Sequence, residues 1–462
     1  MNSSGLSLTS LRQMKVHFIG IGGAGMSGIA KIMLSQGITV SGSDVKDSTV
    51  TENLRTMGAQ IFIGHHGKNI EGVDLLVLST AISADNPERI AAEVAGLPMI
   101  ARAQALALLM EGKRSIAVAG THGKTTTTSM LTVALQNAGL DPSFAIGGMI
   151  NASGVNAYAG SGDIFVAEAD ESDGSFLAYK PLGAIITNIE LDHVDHFATL
   201  ESIYELFLEF VHSIQSGGFL VLCADDLGVQ ELLRRITRTD ITIATYGEGE
   251  CDWQISRVGL TADRGAARIL HNGKVLGELE LMVPGRHNLF NATAALAVST
   301  FLEVPARSAM DGLASFSGSR RRFELKGEVN GIRVIDDYGH HPTEIRVTLE
   351  TARRFAEAGR VIVIFQPHRY SRTLAFAEEF AKALELADEV YLLEVYAASE
   401  EPIPGVSSLL IASKMDPAKV HFEPSMVTVV ENIAATAKGG DVVMTMGAGD
   451  VNALAPVILK SL

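Results

Sequence analysis

A glycine-rich segment near residue 120 has the residue types and spacing that hold a phosphate group. Residues 120–127 read GTHGKTTT; they follow the apolar run 116–119 and precede an amphipathic stretch, 129–138. In a strand–loop–helix arrangement, backbone N–H groups and a helix N-terminus point at one place and stabilise an anion there. Lys124 adds a positive charge for the β- and γ-phosphates of a nucleotide, and the Thr125 hydroxyl is suited to holding Mg²⁺.

This segment differs at one position from the usual phosphate-binding loop. The usual pattern has a glycine five residues before Gly123, where this chain has Val118. A plain turn between a strand and a helix does not need the sequence Gly-Lys-Thr-Thr, so this sequence and its flanks favour a phosphate loop. We therefore predict a variant loop that binds a nucleoside triphosphate.

A second glycine-rich turn lies near the start of the chain. Residues 20–25 read GIGGAG, the pattern G-x-G-x-x-G, between a predicted strand, 16–21, and a predicted helix, 25–36. Asp44 ends the next predicted strand, where an acid can bind a ribose hydroxyl. Alone, this pattern suggests NAD, but the same geometry suits any nucleotide linked through a diphosphate. A tight turn without a ligand is the third possibility.

Acidic residues and histidines follow two further predicted strands. Glu168 follows the apolar run 164–167, and a carboxylate at this end of a parallel strand, beside a phosphate loop, is a natural ligand for Mg²⁺. The acids at 170–173 are easily explained as a solvated loop. His193 and His196 make a poor zinc pair, since no cysteine lies near them. His193 either joins carboxylates at a second metal or lies in a surface loop, and the residues alone leave both open.

Basic and polar residues follow predicted strands in the last third of the chain. The segment 336–342 follows one strand, and Pro342 suits the first turn of the next helix. Arg369 and Arg372 follow another strand, and two guanidinium groups there are well suited to a carboxylate or a phosphate. A third basic group, 320–322, lies near a predicted domain boundary. Solvated basic loops are the alternative explanation for these groups.

The composition limits the class of protein. The chain has 462 residues, a formal net charge of −16 and 47% hydrophobic residues, which indicates an acidic globular enzyme of about two to four domains. Such a charge argues against nucleic acid as a partner. No apolar run is long enough to span a bilayer, and residues 1–13 lack the features of a secretion signal. Because the only cysteines are Cys223 and Cys251, we expect no disulfide framework and predict a cytoplasmic protein.

Strand-like and helix-like runs alternate along almost the whole chain. This alternation predicts an α/β protein with mostly parallel sheets, and breaks in the pattern divide it into three domains, 1–113, 114–318 and 319–462. The first and last domains would be Rossmann-like, and the central one a phosphate-loop ATPase domain. Predicted strands are 16–21, 39–43, 75–78, 116–119, 164–167, 184–186, 333–335, 361–365, 389–393 and 442–446, with a β-rich stretch at 253–283. Predicted helices are 25–36, 129–138, 200–214, 287–302 and 344–358.

Four motifs together resemble the Mur ligase family. They are the phosphate loop at 120–126 and the segments 17–28, 79–87 and 337–344, and the resemblance runs from about residue 16 to the C-terminus. It is greatest to the family member that adds L-alanine to UDP-N-acetylmuramate in peptidoglycan precursor synthesis. The resemblance implies an ATP-dependent carboxylate–amine ligase that works through an acyl phosphate. It also implies Mg²⁺ as the metal, for which Mn²⁺ can substitute.

The same resemblance implies roles for individual residues. The UDP part of the substrate would contact Gly22, Gly23, Ala24, Gly25, Asp44, Ser79 and Ala81. ATP would contact Gly120, Thr121, His122, Gly123, Lys124, Thr125, Thr126, His287, Asn288, Asn291, Arg322 and Asp337. The metal ligands would be Thr125, Glu168 and His193. The amino acid and the acyl group would be bound by Tyr338, His340 and His368, and catalysis would involve Lys124, His193, His340, Arg369 and Arg372.

The resemblance has further consequences for metals and partners. Several relatives carry a modified lysine that bridges the metals, whereas residues 194–216 contain no lysine, as in the alanine-adding member. The expected partners are the small molecules UDP-N-acetylmuramate, L-alanine and ATP. No nucleic acid or membrane partner is expected. The chain would be a monomer or a weak homodimer.

Other functions account for part of the pattern. A murein tripeptide recycling ligase of the same family resembles the centre of the chain but usually has a different first glycine loop. An NAD-dependent dehydrogenase would explain residues 20–25 and Asp44 but would leave Lys124 and Thr125 without a function. A phosphate-loop GTPase would need a guanine-binding segment such as Asn-Lys-x-Asp, which the sequence lacks.

Overall fold

The computed structural model describes residues 6–79, 81–197, 199–398 and 400–462. This part of the chain forms three α/β domains, each built on its own sheet, of five, ten and six strands. Most neighbouring strands are parallel, so the predicted fold class is confirmed. None of the described helices has the length and apolar character that crossing a membrane requires.

The first domain has a fully parallel sheet with the strand order β3-β2-β1-β4-β5. Its strands are β1 (Lys15–Ile19), β2 (Thr39–Asp44), β3 (Gln60–Ile63), β4 (Leu75–Leu78) and β5 (Met99–Ala101). Its helices are α1 (Leu8–Leu11), α2 (Ala24–Ser35), α3 (Thr49–Thr56), α4 (Pro87–Ala95) and α5 (Arg102–Met110). Strand order reverses between β1 and β4, and this is the point where ligands bind in open α/β sheets. The first glycine turn begins directly after β1.

The central domain has a ten-stranded sheet that is parallel in its middle and antiparallel at both ends. Its strands are β6 (Arg114–Ala119), β7 (Ser143–Ala145), β8 (Ala157–Tyr158), β9 (Ile164–Glu168), β10 (Gly183–Ile186), β11 (Phe219–Cys223), β12 (Thr242–Gly247), β13 (Trp253–Leu260), β14 (Gly265–His271) and β15 (Lys274–Leu281). Its helices are α6 (Lys124–Asn137), α7 (Leu200–Ser213), α8 (Leu227–Arg235), α9 (Arg286–Phe301) and α10 (Ala306–Ala314). Because β6, β9 and β10 are adjacent and parallel, the segments that follow them meet at one edge.

The last domain has a six-stranded sheet with the order β16-β17-β21-β18-β19-β20, in which only β16 is antiparallel to its neighbour. The strands are β16 (Glu324–Val329), β17 (Ile332–Asp337), β18 (Val361–Phe365), β19 (Glu389–Leu392), β20 (Val420–Phe422) and β21 (Val442–Met446). The helices are α11 (Pro342–Ala356), α12 (Tyr370–Ala375), α13 (Ala377–Leu384), α14 (Leu409–Ala412), α15 (Met426–Thr436) and α16 (Leu454–Ser461).

One helix begins earlier than its sequence pattern predicts. The amphipathic stretch starts at 129, but α6 starts at Lys124. The intervening threonines have low helix propensity, which hides the first turn from a sequence pattern. The Thr128 hydroxyl donates a hydrogen bond to the carbonyl of Lys124 at 2.8 Å, within the first turn of the helix.

The domains meet in two different ways. One apolar cluster contains buried residues of both the first and the central domain, among them Leu109 of α5 and Phe176 of the 3-10 helix Ser175–Ala178. In this contact α5 packs on that 3-10 helix and α2 packs on β8, and we call it the first joint. The last domain has two apolar clusters of its own, which include no described residue before Phe323. Its contact with the central domain, the second joint, is polar.

Candidate active site

The phosphate loop is a tight turn in which two glycines cannot be replaced without displacing their neighbours. Gly120 and Gly123 have φ angles of +123° and +81°, which side chains rarely adopt. A Cβ on Gly120 would lie 2.1 Å from the Thr187 hydroxyl, and one on Gly123 would lie 2.8 Å from Oδ1 of Asn291. With α6 starting at Lys124, the first N–H groups of that helix face the turn and form a site for an anion.

The Lys124 ammonium lies inside this turn. Its Nζ donates to the carbonyls of Gly120 and Thr121 at 2.7 and 3.1 Å and to Glu171 at 3.0 Å. Burial alone would lower the pKa of Lys124, but the carboxylates of Glu171 and Asp170 raise it above its usual range. Burial also raises the pKa of Glu171, to about 7, against the opposing charge of Lys124. The Lys124 ammonium is therefore a fixed positive charge within the turn.

The three predicted metal ligands fall into two groups. The Thr125 hydroxyl donates to Glu168 at 3.0 Å, and the same carboxylate accepts the N–H of Gly147 at 2.7 Å. His193 instead lies with Asp170 and Glu171, and its Nε2 is 3.7 Å from Glu171 Oε1. The solvated-loop explanation of the acids at 170–173 is wrong for Glu171, which is 3% exposed.

The donor sets of both groups fit a hard divalent cation. One offers a hydroxyl and a carboxylate, and the other two carboxylates and an imidazole, which Mg²⁺ and Mn²⁺ accept as ligands. His193 Nδ1 is buried and has no hydrogen-bond partner among the described residues, while Nε2 faces the carboxylates. Burial lowers the pKa of His193, so that the ring is neutral and able to act as a ligand.

A cavity of about 810 Å³ opens beside the phosphate loop, between the central and last domains. This volume lies in the range typical of small-molecule and cofactor pockets. Among the predicted ATP contacts, those that line it are His122, Gly123, Thr126, His287, Asn288, Asn291, Arg322 and Asp337. Lining residues that the sequence pattern did not predict include Tyr246, Pro284, Phe290, Phe316 and Phe355. These scattered apolar residues carry no local motif, and only the fold brings them together.

Polar residues inside the cavity are held in place by local contacts. Asn288 donates from its side chain to the carbonyl of Pro284 at 2.7 Å, and burial lowers the pKa of His287 to about 4. Asp337 accepts the N–H groups of Phe323 and Gly339, both at 2.8 Å. Asn288 and Asp337 are thus held in place by hydrogen bonds within the protein.

The predicted amino-acid residues of the last domain lie together. His340 donates from Nδ1 to the Tyr338 carbonyl at 3.1 Å, and its ring lies 6.0 Å from that of His368. His368 in turn stacks on Tyr396 at 5.6 Å, a residue that the sequence pattern did not predict. Burial lowers the pKa of His340 to about 3 and that of His368 to about 4, so both rings are neutral. Because Nδ1 of His340 carries the proton, its Nε2 is the free acceptor.

Both predicted catalytic arginines pair with carboxylates of the central domain. Arg372 donates to Asp192 from Nε and Nη2 at 2.9 and 2.8 Å, and Arg369 pairs with Asp195. The third nitrogen of Arg372, Nη1, lies 3.4 Å from His368 Nδ1. Since Arg372 is only 3% exposed, the solvated-loop alternative is wrong for this residue.

The phosphate-loop histidine also takes part in the second joint. His122 pairs with Glu190 of its own domain at 3.2 Å and with Glu344 of the last domain at 3.3 Å. Burial alone would lower the pKa of His122, but these two carboxylates raise it to about 9. Thr343 adds a hydrogen bond from its hydroxyl to Glu190 at 2.7 Å. Arg322 approaches Glu344 at 3.6 Å within the last domain.

The glycine turn of the first domain is organised around Asp44. Its Oδ2 accepts the N–H of Gly22 at 2.8 Å, and Gly20 has a φ of +77°. A Cβ on Gly25 would lie 2.6 Å from Nη1 of Arg102, so the guanidinium covers this end of the turn. Arg102 has no hydrogen bond or ion pair within the described ranges, although its charge acts on Asp170. It is a residue that the sequence pattern did not predict.

The remaining predicted residues of the first domain lie after β4. The N–H of Ala81 donates to the Ser79 hydroxyl at 3.2 Å, forming a small turn. Thr80, part of the motif at 79–87, lies outside the described residues. Ala24 is tied to the central domain, because its carbonyl accepts a hydrogen bond from the side chain of Asn156 at 3.0 Å.

Comparison with known proteins places the whole architecture in one family. Three models match in order: the Mur ligase family catalytic domain at residues 15–114, the Mur ligase middle domain at 118–299, and the Mur ligase glutamate ligase domain at 321–449. Together they span most of the described chain.

Individual relatives agree with these models. The chain is 49% identical to the UDP-N-acetylmuramate–L-alanine ligase of Saccharopolyspora erythraea, over 99% of this chain and 95% of the relative. It is 50% identical to the enzyme of the same name from Renibacterium salmoninarum, over 97% and 96%. Among solved structures, the UDP-N-acetylmuramate–alanine ligase of Thermotoga maritima matches with a TM-score of 0.82 and 31% identity, covering 97% of this chain and 98% of the other. The chain therefore belongs to the Mur ligase family.

Proposed function

We propose that the protein joins L-alanine to the lactyl carboxylate of UDP-N-acetylmuramate, with conversion of ATP to ADP and phosphate, as a cytoplasmic step of peptidoglycan precursor synthesis. The observation that carries the proposal is the cavity of about 810 Å³ that joins the phosphate loop to Arg322 and Asp337 of the last domain. The names of relatives near 50% identity support this choice of substrates. The proposed units are 1–113 for the UDP substrate, 114–318 for ATP and 319–462 for the amino acid.

In the proposed first step, the lactyl carboxylate attacks the γ-phosphate of ATP, the bond to the ADP oxygen breaks, and an acyl phosphate and ADP form. Both groups are anionic, so positive charge must offset their repulsion. Lys124 supplies one fixed charge at the turn. Thr125 and Glu168 would hold one Mg²⁺ or Mn²⁺, and His193 with Asp170 and Glu171 a second, each adding positive charge beside the phosphate.

In the second step, the amine of L-alanine attacks the acyl carbon and phosphate leaves. We assign the proton of the attacking amine to Nε2 of His340, since Nδ1 is engaged with the Tyr338 carbonyl; the bound anionic groups must first raise the pKa of this ring from about 3. His368 and the Nη1 side of Arg372 would bind the amino-acid carboxylate. Arg369 would add positive charge at the same edge.

The UDP part of the substrate would bind across the first glycine turn. The turn at 22–25 would accept the diphosphate, Asp44 a ribose hydroxyl, and the Ser79–Ala81 turn the neighbouring part of the substrate. Arg102 would add a guanidinium to the diphosphate, because it covers Gly25 and has no carboxylate partner within the described ranges. The chain would act as a monomer or a weak homodimer.

Phosphate release from ATP tests the proposal. Release should require UDP-N-acetylmuramate together with L-alanine, and mass spectrometry should find the amide product. The murein tripeptide ligase remains the second candidate, because the murein peptide ligase of Psychrobacter arcticus matches with a TM-score of 0.72 at 27% identity. Release with the tripeptide but not with L-alanine would favour it. Glycine and serine are the necessary controls, since one methyl group discriminates by only about 1–3 kcal/mol.

A dehydrogenase is the alternative from another reaction class. A fluorescence titration with NADH should show no saturable binding to the first glycine turn if the proposed ligase function is correct. Tight binding of NADH, with no ATP turnover, would contradict the proposed function.

A further inference from the structure

One short segment of the central domain carries most of the contacts with the last domain. We call residues 190–195 the bridging segment. Besides the hydrogen bond from Thr343 to Glu190, His341 donates from Nε2 to the Leu191 carbonyl at 3.2 Å. Two ion pairs join the same segment to the last domain, Arg372 with Asp192 and Arg369 with Asp195. His193, the candidate metal ligand, lies between those two aspartates.

The contact before His193 is direct. Oδ1 of Asp192 accepts the Nε and Nη2 groups of Arg372 at 2.9 and 2.8 Å, and it also accepts the backbone N–H of His193 at 2.7 Å. Asp192 and Arg372 are 4% and 3% exposed. Because one carboxylate oxygen joins the arginine to the histidine backbone, the position of Arg372 constrains that of His193.

The contact after His193 fixes its other side. The His193 carbonyl accepts the N–H groups of His196 and Phe197 at 2.8 and 2.9 Å, and this turn presents Asp195 to Arg369. His193 itself has a φ of +50°. A non-glycine residue keeps such a left-handed conformation only where its surroundings hold it there. Here those surroundings include two arginines of another domain.

We propose that Asp192 and Asp195 are positioning residues that couple the docking of the last domain to the affinity of the His193 site for a divalent cation. When Arg372 and Arg369 engage them, His193 is held with Nε2 toward Asp170 and Glu171. When the last domain moves away, the left-handed residue loses its support and the site loosens. The inference rests on the metal site of the proposed function. It adds that docking of the last domain holds His193 in place at that site.

Binding of Mn²⁺ alone to the full chain, followed by electron paramagnetic resonance, tests the coupling without turnover. Asp195→Asn removes the carboxylate charge from the more exposed of the two ion pairs. Asp195 would support a metal ligand without binding the metal itself, and loss of such a residue should weaken Mn²⁺ binding about 10-fold. Glu278→Gln is the matched control, because it removes the surface pair with Arg268 on the β14–β15 hairpin and should leave the affinity unchanged. Equal affinity in wild type and Asp195→Asn would overturn the proposal, as would a wild type that binds no Mn²⁺.

Exchanging the charges of Asp195 and Arg369 distinguishes coupling between these two residues from a general loss of structure. Asp195→Arg and Arg369→Asp should each weaken Mn²⁺ binding, and the double exchange should recover most of the affinity. Independent effects of the two substitutions would contradict the proposal. Asp192→Asn, checked for its thermal unfolding midpoint, should have the larger effect because its pair is buried. If wild-type chain forms no alanine amide while the Mn²⁺ results hold, only the proposed function fails.

Discussion

The two domain joints of this protein are built from different interactions. The first joint is apolar and continuous with the core of the central domain, through residues such as Leu109 and Phe176. The second joint consists of ion pairs and hydrogen bonds around His122 and the bridging segment. Apolar contacts hold two domains as one folding unit, whereas a polar interface is typical of domains that move relative to each other.

The difference assigns a role to each joint. A fixed first joint keeps the first glycine turn, the proposed UDP-substrate site, beside the central domain, since Ala24 and Gly28 of α2 lie against Asn156 and Ala157. A second joint of charged pairs would allow the last domain to move away and return when a nucleotide enters or leaves the cavity. The second joint also contains Arg369 and Arg372, the two arginines proposed to act in catalysis.

The largest expected effect comes from removing the Lys124 ammonium. It tests whether ATP and the UDP substrate bind at separate sites. Lys124→Ala should lower ATP-dependent ligation by about 1,000-fold, because the fixed cation beside the γ-phosphate is lost. Affinity for UDP-N-acetylmuramate, measured by calorimetry, should stay unchanged, since the proposed site for that substrate is the glycine turn of the first domain. Lys180→Ala, at an exposed position, is the control. Equal loss of both functions would contradict the separation.

A cavity in the first joint tests its apolar character. Phe176 is fully buried and stacks on Phe210 at 4.6 Å. Phe176→Ala should lower the free energy of unfolding by about 3 kcal/mol, and calorimetry should show the first and central domains losing stability together. The Glu278→Gln change at the hairpin should leave the unfolding temperature nearly unaltered. Unfolding of the central domain alone would show that the first joint is not a shared core.

Sequence patterns predict the local elements of this protein better than they predict the contacts of its second joint. The ten predicted strands and the two glycine turns are local features that hydrophobic periodicity and glycine spacing can place, whereas β11 and β12 were not predicted. The short strands β7 and β8 at one end of the central sheet, of three and two residues, carry too little periodicity to be recognised.

The second joint depends on residues that are distant in sequence. Arg372 and Asp192 are 180 positions apart, and nothing near either one indicates the other. The sequence predicted a guanidinium pair suited to a carboxylate but could not tell whether that carboxylate belongs to a ligand or to another domain. Arg102 was missed for the same reason, since its relation to Gly25 exists only after the first domain has folded.

Arg102 provides a test on the first domain. Arg102→Ala should weaken UDP-N-acetylmuramate binding about 10- to 100-fold, the usual range for a lost hydrogen bond to a charged group, and should leave ATP affinity unchanged. Arg89→Ala is a matched control, because that arginine pairs with Glu93 on the surface of α4. A raised KM for ATP instead would show that Arg102 acts on the nucleotide near Lys124 and Asp170.

The smallest effect concerns the response of the second joint to pH. His122 faces Glu190, Glu344 and the ring of His341, whose centroid is 4.7 Å away, and the carboxylates raise its pKa to about 9. Because the folded pKa lies above the ordinary value of 6.5, the stabilisation is complete below that value and is lost as the pH rises through about 9.

Docking of the last domain should therefore weaken above pH 9, by about 1.5 kcal/mol for one charge-assisted contact. Small-angle scattering should show the radius of gyration increasing between pH 8 and 10 at constant ionic strength. Glu344→Gln removes the partner in the last domain and should show the expanded form already at pH 7, with a flatter pH profile. Among the residues that the structure describes, the apolar contact of the first joint contains no such pair, so Phe176→Ala should shift the unfolding temperature equally at both pH values. A pH profile of Glu344→Gln identical to wild type would exclude His122 as the group that links protonation to docking.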